Sequence, residues 1–243
     1  MWLLLPMKYC IPIISLCLLL CSCNQLTKRL PGFAVHGIDV SHHQVEVDWD
    51  TVAMQQIDFA FIKATEGRDF KDNCFTQNWQ ELKRVNIKRG AYHFFHPNLS
   101  AEAQANNFIR TVTMDFGDLP PVLDFEVTNN VSKAEILTQL QTWLDLIETH
   151  YKIRPIIYTN QKLYFKYLLN HFKDYPIWMA RYNTIEPNML SQREWVFWQY
   201  GNKGQVKGVE GLVDLNVFKG NLIDLENMSL SPETAISNIM VGN

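Results

Sequence analysis

Pro121-Val122-Leu123-Asp124-Phe125-Glu126-Val127 is a short apolar run in which a carboxylate appears at alternate positions. An extended strand sends successive side chains to opposite faces. Leu123, Phe125 and Val127 therefore share an apolar face suited to packing under helices. Asp124 and Glu126 share the other face. Two carboxylates together on an inward face repel each other and are costly to desolvate. Gly37-Ile38-Asp39-Val40-Ser41 repeats the pattern, with Ile38 and Val40 on one side and Asp39 on the other. Val213-Asp214-Leu215-Asn216-Val217 repeats it again, with Asp214 and Asn216 facing away from the apolar residues. Three strands thus send four carboxylates toward one axis.

Eight segments read as strands: residues 37–41, 59–65, 90–95, 121–127, 155–160, 176–182, 195–200 and 213–218. Helical patterns separate most of them. Residues 72–86 place Phe75, Trp79, Leu82 and Val85 on one face. Ser100 opens another helix, with Glu102 in its first turn. Ser132 reads as an N-cap, with Glu135 completing a capping box, for a helix running to about His150. Residues 161–171 read as a fourth helix and residues 48–56 as a shorter fifth. The last strands follow one another too closely for full helices between them. Repeated β-then-α order predicts a parallel sheet. The fold class is α/β: an irregular, TIM-barrel-like (β/α) barrel of eight strands with about five helices. Such barrels carry their sites at the C-terminal ends of the strands.

The 243 residues are 47% apolar and 19% charged, ordinary values for a globular chain. Lys and Arg total 22 against 25 Asp and Glu, a formal net charge of −3. With no basic run, nucleic acid is not an expected partner. Lys8 followed by an apolar stretch to Cys21 reads as an export signal, too short to span a bilayer. Leu20-Cys21-Ser22-Cys23 resembles a bacterial lipoprotein signal, with lipidation expected at Cys23. The expected divisions are a signal peptide at 1–22, a tether at 23–31, a catalytic barrel at 32–228 and a loosely attached tail at 229–243. Four of the five cysteines lie in or at the end of the leader, so Cys74 has no partner for an internal disulfide and the barrel rests on its core.

Several carboxylates without an evident nucleophile set suit glycoside hydrolysis. One protonated carboxyl gives its proton to the leaving oxygen, while a second supports the developing cation. A close carboxylate pair tends to keep one proton. Asp124 and Glu126, two residues apart on one strand, have Cα atoms about 6.5–7 Å apart, which suggests the close carboxylate spacing of retaining enzymes.

Segments across the chain resemble the glycoside hydrolase family 25 lysozymes, the Chalaropsis-type muramidases. Gly37-Ile38-Asp39-Val40-Ser41-His42-His43-Gln44 is similar to that family's opening segment. Phe61-Ile62-Lys63-Ala64-Thr65-Glu66-Gly67 and Gly90-Ala91-Tyr92-His93-Phe94 resemble the second and third strands. Asp124-Phe125-Glu126 matches the Asp-x-Glu pair. Pro155-Ile156-Ile157-Tyr158-Thr159, Trp178-Met179-Ala180-Arg181-Tyr182, Trp198-Gln199-Tyr200 and Val213-Asp214-Leu215-Asn216 follow in order, so the likeness covers about Val35 to Phe218.

The resemblance implies cleavage of the β-1,4 bond between N-acetylmuramic acid and N-acetylglucosamine in peptidoglycan, without cofactor or metal. It makes Glu126 the general acid and gives Asp124 a role at the 2-acetamido group or as nucleophile. Asp39 and Asp214 would shape the site, and Tyr92, Tyr158 and Trp198 are candidates to line the sugar groove. Family proposals favour retention assisted by the substrate's own acetamide. The residues outside the barrel leave little for a separate wall-binding module, and a lipid anchor at Cys23 would replace it. The expected location is outside the cytoplasm on a membrane, periplasmic or at the outer membrane or cell surface. Two alternatives remain from the residues themselves. His42, His43, His93 and His96 raise a metal-dependent peptidoglycan deacetylase, and a non-catalytic sugar-binding barrel is the other.

Overall fold

The computed structural model describes residues 29–232 and 234. The expected signal, Cys23 and most of the tether lie outside the described residues, as does the tail beyond residue 234.

The chain forms β1 (Val35–Val40), a 3-10 turn at His42–Gln44 and a short helix α1 (Trp49–Ala53). It continues through β2 (Phe59–Glu66), a two-residue strand β3 (Phe70–Lys71), α2 (Phe75–Arg84), β4 (Lys88–Phe94), α3 (Ala101–Thr111), β5 (Val122–Phe125) and α4 (Lys133–Tyr151). Then come β6 (Ile156–Asn160), α5 (Gln161–Leu163), β7 (Ile177–Ala180), β8 (Phe197–Gly204), β9 (Val213–Phe218) and α6 (Leu222–Met228). All eight expected strands form, and the described residues carry six helices rather than about five. β1, β2, β4, β5, β6, β7 and β8 run parallel around a ring that β9 closes by pairing with both β8 and β1.

The closing strand departs from the expected parallel sheet, since β9 is antiparallel to both neighbours. Its connection from β8, residues 205–212, is too short for the crossover that a parallel pair needs. Two further elements were not expected. The turn at Gly67 folds β3 back on the end of β2, and α6 follows the last strand. The helix expected over 161–171 is a single α turn that widens into a π turn at Tyr164–Leu168. Leu163, Tyr164, Tyr167 and Leu168 are all buried there, and the extra residue in a π turn accommodates that wide apolar stripe. Ser100 and Ser132 both cap as expected, accepting from the N–H groups of Ala103 and Glu135. Only the Ser132 half of the expected capping box forms.

Alternation sorts the strand side chains into two cores. Ile38, Val40, Ile62, Leu123, Phe125, Ile157 and Met179 face outward and pack with α2, α3 and α4 through residues such as Leu82, Phe108 and Trp143. Val35, Phe59, Phe61, Val122, Ile156, Phe197 and Phe218 fill the barrel's interior toward its lower end. Phe61 stacks on Trp178 with ring centroids 4.4 Å apart, and Phe59 meets Phe197 at 5.1 Å. The rings need room. A Cβ at Gly37 would lie 2.5 Å from the Phe59 ring, and one at Gly90 2.4 Å from the Phe61 ring. This aromatic plug forms the floor on which the carboxylates stand.

At the opposite pole Arg89 and Asp118, both buried, make a bidentate pair at 2.6 and 3.0 Å. Arg89 also donates to the Trp79 carbonyl at 2.6 Å and lies 4.0 Å from the Trp79 ring centroid. Ser229 and Leu230, expected in a loose tail, are buried, and the Leu230 backbone bonds to Gly117 and Asp118. The apolar Leu230 side chain gains more from this seat than from solvent.

Candidate active site

The interior changes character from bottom to top along each strand. On β1 the inward residues run Val35, Gly37, Asp39. On β5 they run Val122, Asp124, and on antiparallel β9 they run Phe218, Asn216, Asp214. The polar members converge at the C-terminal mouth of the parallel strands. Asp39, Tyr92, Asp124, Glu126, Tyr158 and Asp214 line one pocket of about 120 Å³, together with Trp178, Tyr182 and Gln199.

Two carboxylate pairs share the pocket. Asp39 and Asp214 are cross-strand partners on β1 and β9. Asp39 Oδ2 accepts from Gln199 Nε2 at 2.9 Å and Asn216 Nδ2 at 2.7 Å. Each amide is oriented by a second bond. Tyr158 donates its hydroxyl to Gln199 Oε1 at 2.8 Å, and Trp178 Nε1 donates to Asn216 Oδ1 at 2.8 Å. Burial and then the neighbouring Asp214 hold the Asp39 pKa well above the carboxylate range. Burial also raises Asp214, offset by the hydrogen bond it receives from Asp39. The pair therefore holds a proton more tightly than a free carboxylate does.

The second pair is Asp124 and Glu126. β5 ends at Phe125, so Glu126 stands just beyond the strand, at the rim, rather than within it as expected. Asp124 is buried, and its Oδ1 has no hydrogen-bond partner. Burial, then repulsion from Glu126, lifts its pKa well above the usual range. Glu126 is exposed at its outer side yet flanked by protein. Burial and Asp214 raise it, while a hydrogen bond from Asp124 opposes the rise. With no substrate present the pair holds a proton more tightly than a free carboxylate does. Two like charges this close cannot both ionise freely.

Lys63 stands beside this pair. It is buried on β2, opposite Tyr92 in the sheet register. Its Nζ donates to Glu66 Oε2 at 2.6 Å and lies 5.1 Å from the Phe94 ring centroid and 5.7 Å from that of Phe70. Its charge lowers the pKa of both Asp124 and Glu126. Glu66 also meets His96 Nε2 at 3.0 Å. Burial alone would raise Glu66, but the bonds to Lys63 and His96 outweigh it and hold the carboxylate low.

Trp198 is placed elsewhere than expected. It faces outward, fully buried between Phe33 and Trp195, with Nε1 on the Arg181 carbonyl at 2.8 Å. Strand parity is the reason, because Gln199 takes the inward position on β8. Trp178 and Tyr182, which do line the pocket, share one parity along β7 and beyond, and that signal was available in the sequence.

The histidines are engaged separately. His42 Nδ1 pairs with buried Asp72 at 2.7 Å. His93 faces outward, stacked on Trp143 at 5.7 Å, and burial pushes its pKa down to about 3. Among the described residues no three of His, Cys, Asp and Glu are grouped as a metal ion would need.

A sequence profile described as glycosyl hydrolases family 25 matches residues 38–209. The chain is 40% identical over 204 residues to the uncharacterized protein YegX of Escherichia coli K12, covering 82% of this chain and 75% of that one. It is 37% identical over 218 residues to lysozyme M1 of Streptomyces globisporus, covering 83% and 72%. Among solved structures, a family 25 glycosyl hydrolase from Bacillus anthracis matches with a TM-score of 0.78 at 34% identity, covering 84% of this chain and 97% of that one. A bacterial lysozyme from Streptomyces coelicolor gives 0.74 at 31%, covering 84% and 98%.

Proposed function

Because the chain belongs to family 25 of the glycosyl hydrolases, we propose that its four convergent carboxylates hydrolyse the glycan of peptidoglycan by an acetamide-assisted, retaining route. The enzyme is a lysozyme-type glycoside hydrolase acting on the β-1,4 bond between N-acetylmuramic acid and N-acetylglucosamine. The observation that carries the mechanism is the buried, unpartnered Oδ1 of Asp124 next to Glu126. A buried acceptor without a donor is costly, and the N–H of a substrate acetamide supplies one.

That donor stabilises Asp124 as a carboxylate and drives its proton to Glu126. Glu126 then protonates the leaving O4 of N-acetylglucosamine as the C1–O bond breaks. The acetamide carbonyl oxygen of N-acetylmuramic acid closes on C1, and Asp124 holds the charge that develops on the acetamide nitrogen. Water attacks C1 in the second half, losing its proton to Glu126, and two displacements give net retention. Asp39, clamped by Gln199 and Asn216, fixes the floor and keeps Asp214 in place. Tyr92, Tyr158, Trp178 and Tyr182 supply the sugar-facing surface.

The substrate places the enzyme at work outside the cytoplasm. Export through residues 1–22 and lipidation at Cys23 complete the reading. Among the described residues no helix is long and apolar enough to cross a membrane.

Glu126→Gln tests the assignment. It keeps size and shape but cannot give the proton, and a drop of about 10²–10⁴-fold in kcat is expected with an unchanged circular dichroism spectrum. Activity within a few-fold of wild type would remove Glu126 from the acid role. NMR of the first-formed product should show the β-anomer. An initial α-anomer, or a sugar trapped covalently on Asp124, would rule out acetamide assistance.

A further inference from the structure

The catalytic pocket is not the roomiest hollow at this end of the barrel. Beyond Tyr182 a second cleft of about 530 Å³ opens. Tyr182 lines both, so the two adjoin at that side chain. The cleft is built where β8 runs on past Gln199 and where the loop after β7 carries Asn183, and Arg29 also lines it. Tyr200 and Leu215 make much of its lining apolar.

Its charge is opposite to that of the pocket it joins. Four carboxylates line the catalytic pocket, whereas no Asp or Glu lines the cleft and two cations, Arg29 and Lys203, do. Lys203 is exposed and makes no ion pair with a described residue. Arg29 donates to the backbone carbonyls of Gln55 and Gln56, which fixes its guanidinium without neutralising it. A neutral glycan strand has no use for such a pair of cations. The muramic acid of peptidoglycan carries at its lactyl group a short peptide that bears carboxylates, and the acidic catalytic pocket repels that group.

We propose that the cleft joined to the catalytic pocket at Tyr182, with Arg29 and Lys203 on its walls, is the binding site for the anionic peptide stem of the substrate. This rests on the reading of the enzyme as a peptidoglycan hydrolase. It makes the enzyme selective for stem-bearing glycan, because the contacts fall beside the cleaved bond.

The test uses purified peptidoglycan as isolated and after an amidase has removed its stems. Lys203→Glu reverses an exposed, unpaired charge. The ratio of kcat/KM on stem-bearing to bare glycan is expected to fall about three- to tenfold, mostly through KM, and Lys203→Arg to restore it. Added salt should shrink the wild-type ratio. An unchanged ratio in Lys203→Glu overturns the proposal, as do equal losses on both substrates, which would make the cleft a glycan subsite. A wild-type enzyme that cleaves neither substrate would instead defeat the functional reading. For that reason binding is also read directly, by NMR titration of the isolated stem peptide into the full chain. Saturable shifts at the amides of Gly201 and Gly204, lost in Lys203→Glu, support the cleft, and their absence refutes it.

Discussion

Lys63→Met removes a buried ammonium from beside the Asp124–Glu126 pair. A cation favours ionised carboxylates, so its loss raises the pKa of both groups. An opposite charge within about 4–6 Å moves a carboxyl by about 1–3 units. Two observations put this case at the low end. Glu66 shares the Lys63 charge at 2.6 Å, and at Asp124 both burial and Glu126 outweigh the lysine. The expected displacement is about one pH unit, equivalent to about 1.4 kcal/mol. In the proposed mechanism the active form carries one proton on the pair, so both limbs of the kcat/KM profile move up together. Activity falls about tenfold on the acid limb and rises on the alkaline limb. Met keeps the length and the contacts with the Phe94 and Phe70 rings, while Lys63→Met/Glu66→Gln removes the carboxylate the single change would strand. Release of soluble fragments from labelled peptidoglycan across a pH series reads the profile. A uniform loss at every pH, or a downward displacement, would refute the electrostatic role.

Asp124 binds its proton more tightly in the fold than in the unfolded chain. Its contribution to stability is therefore complete at low pH and is lost as pH rises through the raised folded pKa. Asp124→Asn should flatten that dependence and raise Tm at neutral pH, by roughly 2–4 °C for each kcal/mol relieved, while hydrolysis falls; a lower neutral Tm would count against it. Arg89→Ala strands the buried Asp118 carboxylate and should cost about 3–5 kcal/mol in urea unfolding, and a loss below about 1 kcal/mol would show the pair to be dispensable. Cys23→Ala should free the protein from membranes, whereas failure of a labelled fatty acid to enter the wild type would refute lipidation.

What could be read from the sequence was whatever period-two alternation encodes. Asp39, Asp124 and Asp214 stand where alternation puts them, because the apolar outer face admits only one orientation of each strand. The same rule, applied to residues 195–200, points to Gln199 rather than Trp198, and ring chemistry drew attention to the wrong neighbour. Strand direction is not written in a strand's own residues, so the reversal of β9 was visible only in the shortness of its connection. α6 was hidden because Leu222 and Ile223 are exposed and only Leu225 is buried, leaving no apolar stripe to read. The raised pKa of Asp124 depends on its depth in the pocket, which no local pattern reports.

The reversed closing strand also sets the order in which the molecule can become active. During synthesis β1 has one edge without its final partner until residues 213–218 emerge, and the Asn216-to-Asp39 bond spans 177 positions of sequence. Contacts this distant form late, after nearer ones have offset the cost of closing the loop. Asp214 and the Asn216 clamp arrive on that last strand, so the four-carboxylate pocket is complete only when the ring is sealed. A chain cut short before Val213 would lack both groups and leave two strand edges bare, prone to pair with other chains. Such a fragment should aggregate rather than digest.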